Sequence, residues 1–213
     1  MESAAQDGHA AQKKSIHATE RDTEANRQRR EAFLETVSRI APEDLIYLDE
    51  SGVSTQMTRL YGRAMRGDRV QDTVPGGHWK MLTILGALNH TGILAAMTVE
   101  AATDREVFLT YLDQMLCPKL RPGHVVVMDN LSAHKVDGVR QRIEARGASV
   151  LYLPPYSPDL NPIEKAWSKL KTALRAEGAR TVDTLHSAVA NLLPTLTAND
   201  AQAWFRLRFG NYT

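Results

Sequence analysis

Apolar positions change their spacing several times along the chain, and each change predicts an element. The first usable periodicity is Phe33, Val37 and Ile40, at steps of four and three, which predicts a short amphipathic helix ending before Pro42. Leu45-Ile46-Tyr47-Leu48 is a continuous apolar run closed by Asp49-Glu50-Ser51-Gly52, so a buried strand ending in a polar turn is expected. The runs 81–88 and 93–99 flank Asn89-His90-Thr91-Gly92 and read as a hairpin. Between Asp104 and Leu116, the residues Val107, Phe108, Tyr111, Leu112 and Met115 share one helical face. His124-Val125-Val126-Val127-Met128 is β-branched and uninterrupted, the clearest strand in the chain, and it ends at Asp129. A helix from Val136 to Arg146 and a strand from Ser149 to Leu153 follow, the latter stopped by Pro154-Pro155. Asn161 is expected to cap a helix that has Pro162 at its first position and runs to about Ala176. Further helical stretches near 182–193 and 199–207 complete the chain.

The order strand, hairpin, helix, strand, helix, strand, helix implies parallel strands in the second half and antiparallel ones in the hairpin. The expected architecture is an α/β mixed sheet with helices on both faces. Residues 1–30 are polar, carry Arg21, Arg27, Arg29 and Arg30, and hold almost no aliphatic side chain beyond Ile16. They read as a basic tail or linker, with residues 31–213 as one domain.

Composition narrows the function classes. Of 213 residues, 43% are hydrophobic and 24% charged, the profile of a globular protein with a core of normal depth. Lys and Arg total 26 against 25 Asp and Glu, so any nucleic-acid contact must come from local basic stripes rather than net charge. The single cysteine, Cys117, excludes a disulfide framework and a cysteine zinc cluster. The longest apolar run, Leu82 to Leu88, is far too short to span a bilayer, and the N-terminus has no apolar signal core. A soluble, cytoplasmic protein without a membrane partner is expected.

Three carboxylates then change the picture. Two apolar strands each end in an acid, Asp49 and Asp129, and ligands of open α/β sheets gather at the carboxyl ends of strands. A third acid, Glu164, stands in the first turn of the helix begun by Asn161 and Pro162, beside a buried stripe of Ile163, Trp167, Leu170 and Leu174. Taken singly, each acid reads as a turn residue or a complement to a helix dipole. Converging, they would repel unless divalent cations occupied the site, and hard oxygen donors favour magnesium or manganese. Two such ions about 3.5–4 Å apart serve phosphoryl transfer. Glu50 competes with Asp49 for the first position, and strand alternation admits only one of them.

The neighbourhoods of these acids resemble a known family. Asp129-Asn130-Leu131-Ser132-Ala133-His134, and the segment Leu153-Pro154-Pro155-Tyr156-Ser157-Pro158-Asp159-Leu160-Asn161-Pro162-Ile163-Glu164-Lys165-Ala166-Trp167, look like the signature blocks of the mariner-type DDE transposase superfamily. More narrowly, they resemble its bacterial insertion-sequence branch. Tyr47-Leu48-Asp49-Glu50-Ser51-Gly52 resembles the first block, and Tyr61-Gly62-Arg63-Ala64-Met65-Arg66-Gly67 the basic segment after it. The 34 residues between Asp129 and Glu164 suit the family's spacing.

The resemblance implies a ribonuclease-H-like fold and metal-dependent DNA cleavage at element ends, followed by strand transfer into target DNA at TA sites. It assigns catalytic, metal-holding roles to Asp49, Asp129 and Glu164, choosing Asp49 over Glu50, with two Mg2+ or Mn2+ ions as cofactors. It also implies a homo-oligomer on DNA, associated with the bacterial nucleoid. Family members carry helix-turn-helix regions ahead of this domain, whereas about thirty polar residues precede it here. That contrast implies a separate helix-turn-helix polypeptide, a fragment, or a truncated copy. Two rival functions follow: a plain ribonuclease-H-like nuclease, or a non-catalytic inhibitor of a full transposase.

Basic residues cluster between the first strand and the hairpin, at Arg59, Arg63, Arg66, Arg69 and Lys80. Arg63 and Arg66 are expected to touch DNA phosphates, and Asn130 and His134 to contact DNA beside the acids. The roles of Lys165, Lys169, Lys171 and Arg175, on the Glu164 helix, stay open. Trp167 is expected in the core and Trp79 packed with the strand beside it.

Overall fold

The computed structural model describes residues 18–74, 76–100, 102–130 and 138–209. Five strands form one mixed sheet: β1 (Leu45–Ser54), β2 (Met81–Asn89), β3 (Gly92–Val99), β4 (Val125–Met128) and β5 (Ser149–Tyr152). Their spatial order is β3-β2-β1-β4-β5. The hairpin β2–β3 and the β1–β2 pair are antiparallel, while β4 runs parallel to both β1 and β5. This is the mixed sheet that the alternation of elements predicts.

Strand alternation sends side chains to two separate cores. Leu45, Tyr47, Val53, Ile84 and Val127 face one side, covered by α1 (Glu24–Ser38), α4 (Ile163–Glu177), α5 (Val182–Leu192) and α6 (Ala198–Phe209). Ile46, Leu48, Leu85, Val126 and Met128 face the other, against α2 (Arg105–Tyr111) and α3 (Val139–Glu144). Helices therefore lie on both faces. No helix among the described residues is long and apolar enough to cross a membrane.

Four expectations need correction. The first helix starts at Glu24, inside the stretch read as a tail. Its N-terminal half lacks apolar periodicity and is anchored by ion pairs instead: Arg30, and Arg21 in the turn before the helix, both reach Asp159. The first strand does not turn at Asp49 but runs on to Ser54, pairing residue by residue with β2 until Ser54 meets Met81. The helix after Asp104 is α-helical only to Tyr111 and continues as a π turn over Leu112–Leu116. Its wider winding keeps Tyr111, Leu112 and Leu116 all fully buried. Trp79 is 55% exposed and lies outside β2, so it does not pack as a strand residue.

Candidate active site

Register places the two strand-borne acids side by side. Tyr47 of β1 pairs with Val127 of β4, and two residues further along each chain stand Asp49 and Asp129. Asp49 shares the face of Tyr47, towards α4, whereas Glu50 shares the opposite parity with Leu48 and the α2–α3 core. The third acid, Glu164, reaches the same place from the first turn of α4. Asp49, Asp129 and Glu164 line a single cavity of about 480 Å³, completed by Asn130 and by the loop from Leu153 to Asn161.

That loop enters α4 under tight constraint. Arg30 of α1 grips Asp159 with two hydrogen bonds, 2.9 and 2.7 Å, and donates a third to Ser157 Oγ at 2.8 Å. Arg21 adds a contact of 2.9 Å to Asp159, and Ser157 Oγ donates to the Pro155 carbonyl at 3.0 Å. Pro154, Pro155, Pro158 and Pro162 fix φ at four positions. Asn161 does not cap the helix as expected, because Pro162 takes the cap position with helical φ and ψ. The Asn161 side chain is 3% exposed, lines the cavity, and its Oδ1 has no hydrogen-bond partner among the described residues.

Trp167, one turn along α4 from Glu164, does more than fill the core. Its Nε1–H donates to Asp49 Oδ2 at 3.1 Å. The indole lies against Gly86, the cross-strand partner of Asp49, where a Cβ would come 2.4 Å from Trp167 Cη2. Gly86 thus makes room for the ring that holds Asp49. Neither role is legible from apolar spacing, which explains why the sequence shows Trp167 only as a core residue.

Electrostatics match the crowding of acids. Burial and the nearby Glu164 push the Asp49 carboxyl up to about 7, with Asp129 adding to the shift; the Glu50 backbone N–H and Trp167 pull the other way. Among the described residues, no Lys or Arg lines the cavity. The donor set is three carboxylates, which suits a hard divalent cation. Among the described residues, no three His, Cys, Asp or Glu side chains already form a closed metal-holding group. The three carboxylates line the cavity from separate elements.

The other candidate residues fall elsewhere. Asn130 is exposed on the cavity wall, also lining a neighbouring cavity of about 500 Å³ beneath α1. Arg63 and Arg66 lie in an exposed segment and do not line the acid cavity. His134 lies outside the described residues. Lys169 ties α4 to α6 through Asp200, a structural role for one of the helix lysines.

The DDE superfamily endonuclease family matches residues 44–186, a span that contains all three acids. The chain belongs to that family. A search of curated protein sequences finds no match. Among solved structures, the chain is similar to the Mos1 transposase paired-end complex with left transposon end, with a TM-score of 0.77 at 16% identity. That match covers 94% of this chain and 64% of the Mos1 chain, so this chain spans slightly under two thirds of that transposase. The Mos1 mariner paired-end complex with Mn gives a TM-score of 0.72 at 15% identity, over 93% of this chain and 64% of that one. The Mos1 transposase catalytic domain with raltegravir and Mn gives 0.65 at 14% identity, over 92% of each chain. At these identities the likeness establishes the fold, which is ribonuclease-H-like.

Proposed function

We propose that this chain is the catalytic domain of a transposase, cutting DNA at the ends of a mobile element and joining the released 3′ end to target DNA at TA sites. The carrying observation is that Asp49, Asp129 and Glu164, distant in sequence, line one cavity, with no Lys or Arg among its described lining residues. The family supports DNA as the substrate, and the Mos1 complexes were solved with transposon ends and with Mn or Mg. The Pro-rich block ending at Trp167 supports placement in the bacterial insertion-sequence branch.

Asp49, Asp129 and Glu164 would hold two Mg2+ or Mn2+ ions, which when bound activate an attacking oxygen and stabilise the leaving one. Trp167 keeps one oxygen of Asp49 in a fixed direction, and the braced loop does the same for Glu164. Asn130 stands where a phosphate or sugar oxygen would pass, with Arg63 and Arg66 gripping DNA further out. Exposed Leu60, Tyr61 and Met65 beside those arginines support a homo-oligomer on DNA. Recognition of specific ends falls to a helix-turn-helix region or partner polypeptide.

Cleavage of a pre-processed DNA end in magnesium tests the proposal. Asp49→Asn should lower cleavage by about a thousandfold or more, the rate equivalent of several kcal/mol of lost charge stabilisation. Glu50→Gln should retain most of it. Magnesium should also raise the melting temperature of the wild type by mass action. Identical melting with chelator and with millimolar magnesium, together with no cleavage, would defeat the assignment.

A further inference from the structure

Among the described residues, Tyr156 is the only non-glycine with positive φ, at 56°. A tyrosine in the left-handed region is strained, and such outliers persist only where surrounding structure forces them. The forcing structure is evident here. Pro155 precedes Tyr156, and Ser157, immediately after it, is buried and bonded to Arg30 and to the Pro155 carbonyl. The backbone is thereby pinned from the α1 side of the loop.

The side chain is not drawn into the core by this. Tyr156 is 50% exposed between buried Pro154 and buried Ser157, and its hydroxyl has no hydrogen-bond partner among the described residues. Yet Tyr156 lines the same cavity as Asp49, Asp129 and Glu164. Glycine or asparagine would hold the turn without strain, so the turn itself does not require tyrosine. A half-exposed aromatic residue stands, at the expense of backbone strain, on the rim of a cavity with no other aromatic among its described lining residues.

We infer that Tyr156 is a stacking platform for the nucleobase next to the phosphodiester at the acids. The inference rests on the function proposed above and adds a subsite to it. The acids can attract a metal-bridged phosphate but offer nothing to the base attached to it. An aromatic ring at the cavity rim supplies that contact without reading the base, since every base has a π-face. The subsite therefore takes a frayed or single-stranded terminal nucleotide, because a fully paired and stacked base has no free face to offer.

Fluorescence of 2-aminopurine, placed at the terminal nucleotide of a pre-processed DNA end and separately at an interior position, reads this contact directly. The wild-type chain in magnesium should change the emission of the terminal probe and leave the interior one unaltered. Tyr156→Phe should behave as wild type. Tyr156→Ala should lose the signal and weaken binding of the frayed end about 5- to 150-fold, the range covered by stacking one base on one ring. Tyr156→Gly loses the ring while relaxing the backbone, so it must show the same loss with a melting temperature no lower than wild type. Unchanged emission and affinity in both Ala and Gly variants, with wild-type cleavage intact, would overturn the stacking role and leave the proposed function standing. Loss in Tyr156→Phe equal to that in Tyr156→Ala would also overturn it, assigning the effect to the hydroxyl. A wild type that neither binds nor cleaves DNA would remove both readings together.

Discussion

The loop from Leu153 to Asn161 and the segment from Thr55 to Lys80 both leave the sheet as irregular backbone, and they are held in opposite ways. The first is short, rich in proline and gripped from behind by two arginines of the N-terminal segment. Its polar side chains turn inward, and it delivers Glu164 and Tyr156 to the cavity. Among the described residues, the second is tied to the rest of the domain at its base, where Thr55 and Lys80 exchange hydrogen bonds and Arg180 donates to the carbonyls of Thr55 and Met57. Beyond that base, the described residues from 59 to 80 are all exposed, including Tyr61 at 89%. Arg59, Arg63, Arg66 and Arg69 make no ion pair among the described residues. Under the proposed function, the difference teaches a division of labour: preorganised backbone where chemistry needs fixed oxygens, and exposed charge and apolar surface where DNA and a second copy would bind.

The brace offers the strongest way to break that contrast. Arg30→Ala removes three charge-assisted hydrogen bonds from a side chain that is 15% exposed, and should cost about 2–3 kcal/mol. For a chain of this length that is a fall of about 4–12 °C in melting temperature. Arg30→Lys should recover little, since an ammonium cannot reproduce the two-pronged grip on Asp159. A melting temperature for Arg30→Ala within a degree of wild type would show that the loop is no better anchored than the arginine segment.

Next in size is Gly86→Ala. A methyl group there overlaps the Trp167 ring, so about 1–3 kcal/mol of overpacking is expected, with a displaced Asp49. Trp167→Phe removes both the overlapping ring edge and the hydrogen bond to Asp49. The double variant should therefore be less destabilised than the sum of the two singles, as chemical denaturation of all four proteins would measure. Strict additivity would mean that Gly86 and Trp167 do not act as one unit.

A smaller effect should appear on acidification. Burial alone would raise the Asp159 pKa, but the hydrogen bonds and charge of Arg30, with Arg21, outweigh it and hold the carboxyl below its ordinary 3.8. A depressed carboxylate stabilises the fold above its unfolded pKa and loses that contribution as pH falls through the folded value. The stability gap between wild type and Asp159→Asn should thus be full near neutrality and close below about pH 3.8. A gap that stays constant down to pH 2 would remove ionisation from the brace.

These contacts also mark where sequence reading stops. The mixed parallel and antiparallel sheet was legible because apolar runs such as Val125–Met128 are uninterrupted, and Asp129 follows from where that run ends. The convergence of Asp49 with Glu164 was legible through family motifs, since no local pattern links residues 49 and 164. The brace was not legible. Arg21, Arg30 and Asp159 belong to polar stretches whose partners lie 129 and 138 positions away, and periodicity carries no record of such pairs. The length of the first strand was misjudged for a related reason. Asp49-Glu50-Ser51-Gly52 has turn composition, and only pairing with β2 keeps it extended. Trp167 lies on an apolar stripe, and its second task is visible only once Gly86 and Asp49 stand opposite each other.

The smallest change to the fold, and the sharpest test of the division, comes from the open segment. Arg63→Ala and Arg66→Ala together should alter stability by less than about 0.5 kcal/mol, because neither side chain is packed or paired in the described structure. Their loss should appear only against DNA. Each lost phosphate contact lowers the slope of log affinity against log salt by about one, so the double variant should lose up to about two. The weakening should be the same for an element end and for a scrambled duplex, since phosphate contacts position DNA without reading it. Filter-binding or anisotropy titrations across a salt series would measure both quantities. If the double variant instead lost stability on the scale of Arg30→Ala, the segment would be a packed part of the domain. If it lost affinity for one duplex only, the arginines would be reading bases, and the contrast between a loop built for chemistry and a segment built for grip would have to be redrawn.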